Sequence, residues 1–522
     1  MKSESRKSFS PIIITGIIFL LEIIALIVGF IYFTYYFGFW LTLGLHVLSI
    51  IVGIVVVNCR SNNAYKISWL MFIIVFSLLG IICFIFFANK KFTKREMRLI
   101  KPIINASKKA LDSRLGHDDI NLLDPKEDAD AINIATYIRN YSDNGIYAAT
   151  KSTYYSWGES GFPVMLEKLR KAKHYIFMEY FIIAQGEMWG SILEILKEKA
   201  AEGVDVRIIY DDFGCSKYLP KKYDRQLLKW GIKCIVFNKI KPLFDVRMNN
   251  RDHRKILVID GYIGFTGGIN IADEYINKKV RFGKWKDNVI MFEGEGVFGL
   301  TSLFLSNWVM LTKTEVDNYL DYSNYFPKRH QLEYINQIKN DGFVQPYGSL
   351  PFTYETIGAN VYLSLINRAK KYIHITTPYL ILDDTLITSL KNVAKSGVEV
   401  KIITPYIPDK KIVHEITRSN YLTLLESNVQ IYEYKPGFIH EKTIVCDGIM
   451  GTVGTINFDY RSLFLHMENG TFLYKCECIN DMERDFQDTL KECIPYSYEM
   501  IKSSRWIRKL WWAILRLVAP LM

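Results

Sequence analysis

Three long apolar runs open the chain, and a shorter alternating pattern fills the rest. Residues 11–33 hold one charged side chain, Glu22, and residues 39–57 are apolar apart from Thr42, His46 and Ser49. Residues 68–88 are apolar again, with Trp69 at one end and Lys90 and Lys91 just past the other. A bilayer core about 30 Å thick takes about 20 helical residues, so each run predicts a membrane-spanning helix. The first run is too long for a removable signal peptide and lacks a small-residue cleavage site. From about residue 150 the pattern turns to mixed α/β. It predicts a helix over 164–173, a buried strand over 174–182, a helix over 190–202 ended by Gly203, and a strand over 204–210.

The same order then returns. LINRAKKYIHITTPYLI (365–381) matches LRKAKHYIFMEYFI, and SGVEVKIITP (396–405) matches EGVDVRIIYDD. Helices alternating with Val/Ile-rich strands predict an α/β fold of two pseudo-symmetric repeats, each a mainly parallel sheet flanked by helices. The expected plan is a transmembrane region (1–92), a connecting segment (93–149), a first repeat (150–330), a second repeat (331–500) and an amphipathic tail (501–522).

Composition narrows the partners. In 522 residues, 49% hydrophobic and 23% charged, a disordered chain is excluded. The net charge of +11 points to an anionic partner, and the apolar runs select anionic membrane lipids over nucleic acid. Eight cysteines with no C-x-x-C pair read as core thiols, neither a disulfide scaffold nor a zinc site. Basic residues cluster before the first run, between the second and third, and most densely after the third (Lys90, Lys91, Lys94, Arg95, Arg98, Lys101). The largest cluster favours a multi-pass cell-membrane protein with a cytoplasmic catalytic region, and a re-entrant first run would reconcile all three clusters. RWIRKLWWAILRLVAPLM, at the C-terminus, mixes cations with Trp, Leu and Ile as an interfacial helix does, or as a helix packed on the catalytic domain does; 94–111 has a similar character.

Each repeat carries one histidine constellation. RDHRKILVIDGYIGFTGGIN supplies His253, Lys255, Asp260, Gly267, Gly268 and Asn270, and FIHEKTIVCDGIMGTVGTIN supplies His440, Lys442, Asp447, Gly454, Thr455 and Asn457. Both read H-x-K-x4-D-x6-G-(G/T)-x-N. Residues two apart on a strand share a face, so each His and its Lys aim at one point. A neutral imidazole can attack or take a proton, and an ammonium can hold a phosphate oxygen. Gly268, Thr455, Asn270 and Asn457 are the expected phosphate donors, through turn N–H groups and side-chain amides. Asp260 and Asp447 complete the catalytic signature, but their odd spacing from the histidines puts them on the opposite face, in a structural role. Glu179, in an otherwise apolar strand, needs a buried partner. His466 beside Glu468 has too few ligands for a metal.

The paired motif resembles the phospholipase D superfamily over about residues 150–500. HRKILVIDG followed by GGINIADEY, the NFDYRS run, the membrane-spanning N-terminus and the basic–aromatic C-terminus are similar to bacterial cardiolipin synthases. That family usually has two apolar runs where this chain has three. The resemblance implies that two phosphatidylglycerol molecules give cardiolipin and glycerol through a covalent phosphatidyl-histidine, with no cofactor and no metal. It implies His253 as nucleophile and His440 as acid/base, roles that the two motifs themselves leave interchangeable. It also implies that Asp287 in WKDNVIMFEG and Glu468 in FLHMENGTF orient the imidazoles. Phospholipase D-type hydrolysis, transfer to another alcohol, or nuclease action are the alternatives. The oligomeric state is left open.

Overall fold

The computed structural model describes residues 11–88, 118–142, 144–240, 250–312, 325, 337–351 and 355–521. The basic stretch 94–111 lies outside the described residues. The chain divides into two units, the N-terminal helices and the α/β body.

The N-terminal unit departs from three separate spans. One helix runs unbroken over Pro11–Asn58, merging the first two apolar runs, because no Gly, Pro or polar cluster in 34–38 is strong enough to end it. Within it Gly38–Asn58 is long and apolar enough to cross a membrane. The third run divides into Asn63–Val75 and Ser77–Phe87, broken at Phe76. These helices meet at Gly80, whose missing side chain lets them approach the backbone of Ile73. Trp69, Ile73, Ile81 and Cys83 form the buried centre of the unit with Val56. His46 Nδ1 bonds the Thr42 carbonyl oxygen at 2.7 Å, and all eight cysteines are free thiols.

The α/β body contains a seven-stranded and an eight-stranded sheet. In the first sheet, Tyr175–Tyr180, Asp205–Asp211 and Lys233–Phe237 run parallel, joined by the helices Glu187–Ala201 and Tyr223–Lys229. In the second, Tyr372–Thr376, Glu399–Pro405 and Gln430–Tyr434 do the same, joined by Asp384–Lys395 and Lys411–Leu425. The expectation of mainly parallel sheets is corrected, because every other pairing in both sheets is antiparallel. Each motif carries Asp-Gly, which turns the chain straight back. Asp260 and Gly261 have φ of +50° and +74°, and Asp447 and Gly448 have +55° and +71°. Those positive φ values are what a tight hairpin turn demands, and they convert the motif strand into half of an antiparallel pair.

The two sheets share a core. Phe177, Ile256, Val258 and Phe292 of the first meet Val344, Val445, Val453 and Leu473 of the second around the helices Val297–Thr312 and Cys478–Lys491. The repeats are therefore one body rather than two beads. Within the segment before the first repeat, the helix Ala129–Ser142 buries Ile134, Ala135 and Ile138 in the core of the second repeat.

Candidate active site

The two histidines sit just before the first strand of each motif hairpin, in segments that pair across the repeats. His253 N–H donates to the Met467 carbonyl at 2.9 Å, and Met467 N–H to that of Arg251 at 2.8 Å. In the mirror arrangement Gly437–Ile439 lies parallel to Lys284–Lys286, and His440 N–H donates to the Lys286 carbonyl at 2.7 Å. One residue beyond each partner segment stands a carboxylate. The pairing therefore hands each imidazole an acid from the other repeat. His253 Nδ1 is 3.0 Å from both oxygens of Glu468, and His440 Nδ1 is 2.6 Å from Asp287 Oδ2. Sequence points to these acids; the crosswise exchange is visible only in three dimensions.

Lys255 and Lys442 are buried beside them, each donating from Nζ to the carbonyl of its own histidine, at 2.8 Å for Lys255. Burial dominates the electrostatics. It pushes His253 well below the ordinary imidazole range, with Lys255, His466, Lys442 and His440 adding to the effect. Burial and Lys442 bring His440 down to about 4 against the opposing pull of Asp287. Burial likewise lowers Lys255 to about 7 and Lys442 to about 8, and raises Glu468 to about 8. The imidazoles are thus neutral near pH 7, the form with a lone pair to offer. Because His440 and Lys442 both act on His253, the two motifs occupy one electrostatic site.

The remaining motif residues build the scaffold. Asp260 accepts the N–H groups of Lys173, His174 and Tyr175 at 2.7–2.9 Å, and Asp447 those of Lys370, Lys371 and Tyr372 at 2.7–2.8 Å. Neither touches an imidazole, so both are structural members of the signature. The expected phosphate donors are committed elsewhere. Gly268 N–H goes to Asn288, and a side chain at Gly268 would occupy the place of Asp287. Thr455 N–H goes to the Asn469 carbonyl, while its hydroxyl donates to Glu468. Asn270 accepts from Ile182 N–H at 3.0 Å and donates to Tyr275 at 2.7 Å. Asn457 donates to Asp459, and its own carbonyl oxygen is buried with no partner. These four residues hold the acids and loops around the site, and the lysines stand beside the imidazoles, each bonding its own histidine's carbonyl.

Glu179 finds its partner in Arg254, at 2.5 Å, with Asn307 donating both to it and to Asp252. Asp252 and Arg254, the chain neighbours of His253, both belong to that buried network. Sequence reasoning missed the asparagines that follow the acids. Asn469 accepts Lys255 N–H at 3.2 Å and donates to Thr266 at 2.8 Å, and Asn288 receives Gly268 N–H. The repeated pair Asp287–Asn288 and Glu468–Asn469 was the signal that could have found them. His253, His466 and Glu468 bring one donor atom each within 4.8 Å of one another, the one such group among the described residues. A cation there would draw Glu468 away from His253 Nδ1, so this donor set fits imidazole orientation better than metal binding.

A buried pair of imidazoles, each beside an ammonium and held by a carboxylate across a pseudo-dyad, suits transfer at a phosphodiester. Comparison with known proteins agrees. A family model described as cardiolipin synthase, PLD-like domain matches residues 165–281 and 362–490. A cardiolipin synthase of Halalkalibacterium halodurans is 33% identical over 476 residues, covering 91% of this chain and 92% of that protein. The chain belongs to the cardiolipin synthase family. Within that family, cardiolipin synthase 2 of Bacillus anthracis is 32% identical over 480 residues, covering 91% of this chain and 90% of that protein. An uncharacterised protein of Streptococcus mutans is 40% identical over 467 residues, 89% of this chain and 98% of that protein. Among solved structures, a phosphatidylserine synthase of Haemophilus influenzae superposes with a TM-score of 0.54 over 75% of this chain and all of that one. At 15% identity that likeness speaks for the fold alone.

Proposed function

We propose that the protein is a membrane-bound phosphatidyltransferase that makes cardiolipin and glycerol from two molecules of phosphatidylglycerol. His253 attacks the donor phosphorus, and the bond to the glycerol headgroup breaks as the small protonated fraction of His440 gives its Nε2 proton to the departing alkoxide, which leaves His440 neutral. The terminal hydroxyl of the second phosphatidylglycerol then attacks the phosphatidyl-histidine. His440 takes its proton, and the nitrogen–phosphorus bond breaks. Lys255 and Lys442 hold the non-bridging oxygens as charge builds on them. One phosphodiester replaces another, so no nucleotide is consumed.

The observation that carries this reading is the crosswise carboxylate pairing, which fixes both imidazoles at Nδ1 and leaves Nε2 for the phosphorus and the alcohol. The pairing also supports the division of labour. The short bond to Asp287 raises the proton affinity of His440 against the lowering by burial and Lys442, as an acid/base needs. The apolar N-terminal helices anchor the enzyme in the cell membrane, and the basic residues around them favour a cytoplasmic catalytic body.

The test is incubation of the purified chain with phosphatidylglycerol vesicles and a chelator. The expected products are cardiolipin and free glycerol at an unchanged rate, with the trapped phospho-enzyme labelled on His253. Phosphatidic acid as the main product would make the protein a hydrolase, and loss of activity in chelator would end the metal-free route.

A further inference from the structure

The pseudo-dyad is broken in charge beside the active site. Counting from the motifs, Arg251 corresponds to Phe438, Arg461 to Glu274 and His466 to Trp285. His440 is accordingly surrounded by aromatic rings, with Trp285, Tyr275 and Phe438 at centroid distances of 5.6, 5.7 and 5.8 Å. At the equivalent distance His253 meets His466, at 5.9 Å. His466 in turn lies within the field of Arg461, Arg251 and Lys410.

These groups are poorly satisfied. Arg461 is half-buried, yet among the described residues its guanidinium forms no hydrogen bond and no ion pair. The nearest acid, Asp459, is occupied in capping the helix Tyr460–Phe464 through Ser462 N–H at 2.8 Å. Burial lowers the proton affinity of Arg461, Asp459 opposes that, and Arg251 adds to it. Arg251 has Asp211 at 3.7 Å, gives one N–H to the Asn238 carbonyl at 3.1 Å, and stacks on Phe213. Lys410 is exposed and paired with Asp409. His466 Nε2 is buried with no partner. Removing an arginine from water beside a second arginine is costly unless an anion arrives.

The reaction proposed above brings one. The donor phosphorus sits between the histidines, but the acceptor carries a second phosphodiester. Its attacking hydroxyl is separated from its own phosphorus by three carbons and an oxygen, a reach of about 6 Å at single-bond lengths near 1.5 Å. We propose that Arg461 and Arg251, with His466 Nε2 and Lys410 at the edge, bind the phosphodiester of the acceptor lipid. This inference rests on the phosphatidyltransferase reading and assigns these residues to the second lipid only. Water and glycerol lack that phosphate, so the subsite selects a phosphatidyl acceptor over both.

The test separates two acceptors in one preparation. Phosphatidylglycerol vesicles with labelled glycerol report cardiolipin formation, which needs the second phosphodiester. They also report exchange of labelled glycerol into phosphatidylglycerol, which needs only the covalent intermediate and a free alcohol. Arg461→Gln is expected to cut cardiolipin formation by about tenfold or more, the loss typical of a hydrogen bond to a charged group, with exchange within about twofold. Arg461→Lys should recover part of the loss. The exposed Lys410→Gln, which leaves the buried core intact, should show a smaller loss of the same selectivity and decides the matter if Arg461→Gln does not fold. Equal loss of both reactions would assign the arginines to the donor phosphate, and unchanged cardiolipin formation would leave them without a substrate role; either result overturns the subsite. Failure of the wild-type chain to make any cardiolipin would instead sink the parent reading.

Discussion

Asp287 and Gly268 compete for the same space beside His440. The carboxylate reaches Nδ1 of that imidazole because position 268 carries no side chain, and a single methyl there would collide with its oxygens. The glycine of the motif is thus a steric requirement of the acid. Gly268→Ala is expected to lower turnover by about 100-fold, the scale of a misplaced catalytic group, and to resemble Asp287→Ala in doing so. Steady-state rates with matched thermal midpoints would check this; a Gly268→Ala enzyme of normal rate would mean the Asp287 contact is dispensable. Thr455 holds the equivalent place in the second repeat, where a hydroxyl is accommodated because it bonds Glu468. That one-residue difference between GG and GT records how each acid is supported.

At the scale of elements, the C-terminal helix Trp506–Val518 joins two alternatives that the sequence left open. It packs on Lys411–Leu425, with Arg508 donating twice to Glu415 at 2.8 and 3.1 Å, Trp512 Nε1 donating to the same carboxylate at 2.7 Å, and Leu515 buried. The opposite side carries Trp506 (72% exposed), Ile507, Leu510, Trp511 (47%), Ile514 and Val518. At 3.6 residues per turn these span an arc of about 140°, flanked by Arg505, Lys509 and Arg516. Apolar rings with cations beside them match the interface of an anionic bilayer. In reconstituted vesicles with brominated acyl chains, the quenched part of the tryptophan emission should shrink in the Trp506→Phe/Trp511→Phe double variant. An unchanged quenched fraction would show that this face does not enter lipid.

At the scale of the molecule, each half of the site depends on the other repeat. Glu468 in the second repeat bonds His253, the proposed nucleophile of the first, and Asp287 in the first bonds His440, the proposed acid/base of the second. Their loss should therefore damage different steps. With a phosphatidyl donor whose leaving group is p-nitrophenol, which departs without a proton, Asp287→Asn should recover most of its formation rate for the covalent intermediate. Glu468→Gln should not. Release of the nitrophenolate burst measures both, and equal recovery would contradict the crosswise division. The shared core around Val297–Thr312 and Cys478–Lys491 is what keeps the two halves in register for this exchange.

Much of this was legible before folding was considered. The repeat, the two His–Lys pairs, the structural role of Asp260 and Asp447 and the acids at Asp287 and Glu468 all follow from spacing or resemblance, because strand periodicity and motif chemistry are local properties. Sheet direction was misjudged because an Asp-Gly turn outweighs the parallel habit of α/β crossovers. The apolar runs were divided wrongly because hydropathy measures burial and says little about where a helix stops. Composition and motif thus determined the fold class and the reacting groups. Only the tertiary structure decided which acid pairs with which histidine, that Gly268 makes room for Asp287 while Thr455 bonds Glu468, and where Arg461 and His466 lie. Those are distances between residues remote in the chain, set by the packing of one repeat on the other, and no local pattern encodes them.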